Sequence, residues 1–313
     1  MKAIRFVGAH QPAEIFDVPE PRPGPGEVVV AVEAAGLCHS DLHILDGTFP
    51  VPAPMTLGHE VAGRVLEVGA GVDETWSPGT PFVLKGTLHG PRPGLGDDGG
   101  MAERVLVPAS YLMPIPDGIG MAQAAVATDS VATAYHAVKG VGGVRLGEKV
   151  GIIGLGGLGL NAVSIAAIGG ARIYGCNRSP AKREAAREAG AHELYADAAE
   201  LAGKNLDCAI DFVGIGHTVN AAIAAVRDGG RVVLVGLGAN EVQLPTLPLI
   251  QRQISVAGAW GSTRQELTEV LDLIAAGRIS SVLEEISLDE VPEGYERLHR
   301  GEVPGRLVAM IGR

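Results

Sequence analysis

The sequence predicts an α/β protein: a strand-rich first part, then a doubly wound parallel sheet. Three observations lead there. From Glu148 to Trp260, six strand-like runs alternate with helical patterns, as βαβ units do. Within that stretch "IIGLGGLGLNAV" sets a G-x-G-x-x-G between a strand and a helix. Before about Val131 the pattern is instead one of short alternating strands broken by Pro and Gly.

Each element has its own mark. "KAIRFVG", "AEIFDV", "EVVVAVEA", "VAGRVLEVG" and "ERVLVP" read as strands separated by "PEPRPGPG", "GAGV" and "PDGIG". "EKVGIIG" is a buried strand, "GLNAVSIAAI" a helix and "RIYGCN" the next strand. "SPAKREAAREAGA" is a helix with Ser179 as cap, Pro180 in the first turn and Gly190 at the stop. "ELYA", "LDCAIDFV", a helix over "HTVNAAIAAVRD", "RVVLVGL" and "ISVAGAW" complete the series. "RQELTEVLDLIAAG" and "GRLVAMI" are a helix and a strand outside that sheet, and residues 89–100, "HGPRPGLGDDGG", are the most loop-like stretch.

At 313 residues the chain has room for about two domains, and 46% apolar residues are ample for a core. A net charge of −11, with no basic cluster interleaved with aromatics, argues against a nucleic-acid partner. The start, "MKAIRFVGAH", has no apolar core of a signal peptide. No apolar run approaches 18 residues, so no membrane partner is expected. Three widely separated cysteines, Cys38, Cys176 and Cys208, point to a reducing, cytoplasmic setting without disulfides.

The glycine motif assigns a nucleotide site to Gly154, Gly156, Gly157, Leu158 and Gly159. The first Gly of the pattern makes a tight turn, the second admits a pyrophosphate, and the third lets helix and strand pack closely. At the end of the second strand an Asp or Glu would bind the adenine ribose hydroxyls and favour NAD. Here Asn177 stands there, followed by Arg178 and, one turn on, Lys182, a set that favours NADP(H) over NAD(H). The competing reading makes Arg178 and Lys182 solvated charges, with Asn177 still serving the ribose.

One polar run remains. "AGLCHSDLHILDG" crowds Cys38, His39, Ser40, Asp41 and His43 into six positions of a chain with nine histidines. A polar loop would account for it, as would a metal ligand beside proton-handling groups. Local spacing alone does not decide.

With "GLCHSDLH", then "LGHEVAGRV", then the dinucleotide unit in that order, the whole chain resembles the zinc-containing alcohol dehydrogenases of the medium-chain dehydrogenase/reductase family. The resemblance implies a GroES-like β-barrel catalytic domain over residues 1–130, a Rossmann NAD(P)-binding domain over 131–258 and a return segment, 259–313, completing the first. It makes Cys38 and His59 zinc ligands. The third ligand is commonly a Cys ahead of a "GVTTY"-like run; "ATDSVATAYHAV" places Asp129 there. Zinc accepts carboxylate oxygen, and Cys⁻, Asp⁻ and neutral His balance its charge. Asp129 is equally a residue type that caps a helix, here one starting near Ser130.

The resemblance also implies roles by position. Asp41 holds the outer nitrogen of His59. Ser40 takes the alcohol proton and passes it through the nicotinamide ribose to His43. His39 and Arg306 lie near the pyrophosphate, and Glu60 sits behind the metal. The four-cysteine lobe of many relatives is missing from "FVLKGTLHGPRPGLGDDGG", so one catalytic zinc and no structural zinc are expected. The implied activity is hydride transfer between a small alcohol or carbonyl compound and NADP(H) or NAD(H), in a homodimer or homotetramer. Phe49 and Trp260 are candidates for a pocket wall, though packing explains each as well. The rivals are a reductase of the same fold acting on activated C=C or C=N bonds, and a catalytically silent NADPH-binding regulator.

Overall fold

The computed structural model describes residues 1–86 and 92–312. Of the loop-like stretch 89–100, residues 89–91 therefore lie outside the described residues. The chain forms two compact units. One comprises Met1–Asp129, Leu267–Ala275 and Leu283–Arg313, the other Ser130–Glu266 and Ala276–Val282. The divisions expected were 1–130, 131–258 and 259–313.

The first unit is organised on the ten-residue strand Glu27–Gly36, whose run of Val and Ala is almost wholly buried. One edge pairs antiparallel with Glu60–Val68. The other is shared by Arg104–Pro108 near its start and Arg306–Met310 near its end. Leu283–Ser287, Pro81–Leu84 and Leu112–Pro114 extend this seven-stranded sheet, and Glu14–Asp17, Lys2–Phe6 and Met55–Thr56 form a second, three-stranded one. Ile4, Leu37, Ile44, Leu57, Phe82 and Met101 fill the core.

The register of this sheet gathers polar residues from distant parts of the chain. Gly36 sits opposite Glu60 on one side and Val308 on the other. Cys38, His59 and Arg306 are each within two residues of that row, so the pairing itself brings them together.

The second unit is a six-stranded parallel sheet in the order Glu193–Tyr195, Arg172–Cys176, Lys149–Ile153, Leu206–Asp211, Val226–Leu234, Ser255–Gly258. By chain position that order is 3-2-1-4-5-6, the doubly wound pattern that binds ligands beyond the carboxyl ends of its strands. Ile153, Cys176 and Asp211 are in register there, so Gly154 and Asn177 emerge side by side from the sheet. One element differs from the sequence reading. The helix expected through Asp228 ends at Ala225, because Val226 turns extended and pairs with Leu206. Among the described residues no helix is long and apolar enough to cross a membrane.

Candidate metal centre and coenzyme turn

Cys38 follows the spine strand directly and is the N-cap of helix His39–Leu45. Its backbone N–H donates to Asp41 Oδ2 at 2.9 Å, closing the first turn on itself. This local box is why the polar run folds as a turn of helix rather than as an open loop. Ser40 Oγ lies 3.5 Å from Cys38 Sγ. His39 is exposed on the first turn, and His43 is partly exposed one turn further on. Among the described residues His43 Nδ1 is buried without a hydrogen-bond partner, 3.7 Å from Asp46 Oδ2.

His59 enters from the neighbouring strand. Gly58 before it holds φ +97°, and a Cβ there would come within 2.6 Å of the Met101 nitrogen, so "GHE" needs its glycine for both reasons. Asp129 lies in a π-helical turn, Ala127–Val131, directly after helix Met121–Val126. It is not a helix N-cap. Such turns bring a side chain out of the regular spacing and recur at functional sites.

These three residues meet. The ligand atoms of Cys38, His59 and Asp129 all lie within 4.8 Å of one another. Asp129 Oδ2 is 3.8 Å from Cys38 Sγ and 3.7 Å from His59 Nε2. A tetrahedral zinc with bonds of about 2.0–2.3 Å separates its ligands by roughly 3.3–3.8 Å. Among the described residues His59 Nε2 is buried with no hydrogen-bond partner, a costly arrangement unless a cation completes it. Burial alone would depress the imidazolium pKa, but Asp41, Asp129 and Cys38 more than reverse this and hold it well above the usual histidine value. One cysteine sulfur, one imidazole and one carboxylate facing inward form a donor set that fits zinc.

Around this set, Asp41 Oδ1 stands 3.3 Å from His59 Nδ1. Glu60 and Arg306 are both buried, joined by Nε–Oε2 and Nη2–Oε1 bonds of 3.0 and 2.6 Å. Burial raises the Glu60 pKa and Arg306 opposes it. A Cβ on Gly36 would lie 1.9 Å from Glu60 Oε2, so that glycine clears room for the carboxylate. Arg306 was expected at a pyrophosphate. It is 3% exposed, ion-paired with Glu60, and 3.6 Å from Asp129 Oδ2. That pairing places it behind the Cys38–His59–Asp129 set. Phe49 packs on the core of this unit, with its N–H on the His43 carbonyl.

In the second unit the three glycines divide their work. Gly154 has φ +87°. Gly156 faces open space, where a Cβ would meet nothing within 4 Å. Gly159 packs so tightly that a Cβ would lie 1.8 Å from the Gly154 carbonyl oxygen. Gly157 and Leu158 begin the twelve-residue helix Gly157–Ile168, whose first N–H groups are free for an anion.

Asn177 Oδ1 accepts from the Ser179 N–H at 2.9 Å, and Ser179 caps helix Pro180–Glu188. Arg178 is exposed and Lys182 half-buried, and burial pushes the Lys182 pKa down. Arg183, which motif reading missed, donates to the carbonyls of Asn177 and Arg178 at 2.6 and 2.9 Å and shapes the turn. Its position one helical turn past Ser179 was the available signal. Cys176 and Cys208, pushed up to about 12 by burial, are chemically quiet.

Comparison with known proteins agrees with this geometry. Residues 24–117 match the alcohol dehydrogenase GroES-like domain and residues 157–276 the zinc-binding dehydrogenase family. An alcohol dehydrogenase of Geobacillus stearothermophilus is 33% identical over 99% of both chains. The chain belongs to the zinc-type alcohol dehydrogenases. Acetophenone reductase from Geotrichum candidum, solved in complex with NAD, shares 35% identity and a TM-score of 0.94 over 99% of this chain and 96% of its own. A zinc-binding dehydrogenase from Sinorhizobium meliloti, solved with NADP, shares 29% identity and a TM-score of 0.87 over 99% and 98%. Within this family the strand-rich unit is the GroES-like domain and the parallel sheet the Rossmann domain.

Proposed function

We propose that this zinc-type dehydrogenase interconverts a small alcohol and its aldehyde or ketone, with NADP(H) in preference to NAD(H) and one zinc per chain. The convergence of Cys38, His59 and Asp129 on one point carries the reading. Zinc held there would supply the Lewis acidity that makes a substrate hydroxyl acidic near neutral pH. Ser40, beside the Cys38 sulfur, accepts the hydroxyl proton during oxidation and returns it during carbonyl reduction. His43, on the same helix and reaching solvent, moves that proton outward. The Gly154–Gly159 turn would hold the nicotinamide coenzyme that would supply or accept the hydride.

The NADP preference rests on local charge. Asn177 puts no carboxylate near a 2′-phosphate, while Arg178 and Lys182 add positive charge at the same strand end. One solved relative holds NAD and another NADP, so the choice is read from these side chains. A single zinc is supported by the cysteine count: Cys176 and Cys208 lie in strands of the Rossmann unit, far in sequence from residues 84–100. Small carbonyl or alcohol substrates, a homodimer or homotetramer and a cytoplasmic setting complete the proposal.

The test is zinc content and NADPH-dependent carbonyl reduction in the parent and three variants. The parent is expected to hold about one zinc. Asp129→Ala and Cys38→Ala should lose most of it. Ser40→Ala should keep zinc while kcat falls by about 10²–10⁴, the usual worth of positioned proton transfer. Zinc-free parent protein that reduces activated alkenes would favour the C=C reductase instead. Coenzyme binding without turnover of any carbonyl would favour the silent regulator.

A further inference from the structure

The return segment of the GroES-like unit carries one polar group into its interior. Tyr295, in helix Val291–His299, is 3% exposed among apolar neighbours. Its hydroxyl donates to Asp41 Oδ2 at 3.2 Å across 254 positions of sequence. That oxygen also accepts the Cys38 N–H at 2.9 Å, while the other, Oδ1, faces His59 Nδ1 at 3.3 Å. Tyr295, Asp41 and the His59 side chain are all buried.

We propose that Tyr295 is a positioning residue for the zinc ligand His59, acting through the Asp41 carboxylate. With the Cys38 N–H as its only donor, the carboxylate could pivot about that bond. A second donor on the same oxygen fixes its plane and leaves Oδ1 aimed at the imidazole. Groups behind a metal-bound histidine set ring orientation and ligand strength.

Two further observations support the assignment. A tyrosine hydroxyl in an aliphatic core costs roughly 1–3 kcal/mol unless it is hydrogen-bonded, and phenylalanine would fill the same space. The helix is also held hard against the ligand-bearing strand. A Cβ on Gly294 would sit 2.9 Å from Leu37 Cδ2 and 3.0 Å from Ile286 Cδ1, so a larger residue there would need both side chains to shift. Burial, and then the Asp41 charge, holds the phenol pKa well above its ordinary value, which keeps the proton needed to donate.

The proposal rests on the zinc-site reading, and the experiment separates the two. Tyr295→Phe, Asp41→Asn and the double variant are compared with the parent as full chains. Zinc transfer to a chromophoric chelator and the visible spectrum of the cobalt-substituted protein are recorded, with thermal unfolding as control. Tyr295→Phe is expected to bind one zinc, release it about tenfold faster, and shift the cobalt bands. On the Asp41→Asn background the same change should alter release less than about twofold, since the effect passes through Asp41. Parental release and spectrum in Tyr295→Phe overturn the proposal, as does an undiminished acceleration on the Asp41→Asn background. A parent without zinc overturns the zinc-site reading and this proposal together.

Discussion

Gly156 and Gly159 stand three positions apart in one motif, yet a methyl group would meet opposite fates at each. At Gly159 a Cβ would sit 1.8 Å from a backbone oxygen that cannot move without dragging the strand. Gly159→Ala should therefore cost about 2 kcal/mol or more, read as a fall in melting temperature even without coenzyme. At Gly156 the space is open and φ is −88°, so alanine fits. Gly156→Ala should leave unfolding unchanged and weaken coenzyme binding, measured by fluorescence titration; a matched loss of stability in both would refute the division. At this scale the sequence was legible where the backbone demands one residue type, as at Gly154 and Gly159. The burial of Arg306 against Glu60 was not legible, because a buried guanidinium and an exposed one are written with the same letter. Only the Gly36–Glu60 pairing, with Glu60 turned into the space that glycine leaves, shows which it is.

Local elements explain where motif reading succeeded. The unit from Lys149 to Asn177 is strand, turn, helix, strand in unbroken sequence, and each boundary has a chemical mark: Gly154 at the first, Ser179 and Pro180 at the next helix. At the carboxyl end of strand Arg172–Cys176 this arrangement puts Arg178 and Lys182 on one turn, with Arg183 bracing the backbone between them. Arg178→Ala and Lys182→Ala are each expected to raise KM for NADPH roughly tenfold, the loss of one charged contact, with little change for NADH. Equal effects on both coenzymes would make them ordinary solvated charges. The helix Gly216–Ala225 shows the limit of this kind of inference. Its pattern continues smoothly into Val226, and only pairing with Leu206 ends it.

Across the whole molecule, the mixed seven-stranded sheet of the GroES-like unit was the least legible part. The spine strand Glu27–Gly36 joins partners at Glu60–Val68 and Arg306–Met310, and nothing local in sequence announces a pairing over some 270 residues. All three proposed ligands, and the Glu60, Arg306 and Tyr295 side chains behind them, belong to that one unit. Removing zinc with a chelator should therefore speed hydrogen exchange in helix His39–Leu45, strand Glu60–Val68 and helix Val291–His299. Strands Lys149–Ile153 and Leu206–Asp211 of the Rossmann unit should keep their protection; uniform loosening of both units would contradict this. The interrupted path of the first unit also has a consequence for synthesis. Ser130–Glu266 is nearly continuous and can condense while the ribosome is still at work, since domains fold as units from the N-terminal side. The other unit cannot condense until Arg306–Met310, which pairs with Glu27–Gly36, has been made. On a nascent chain Cys38 thus waits for roughly 270 further residues before the site that would hold the metal can come into being.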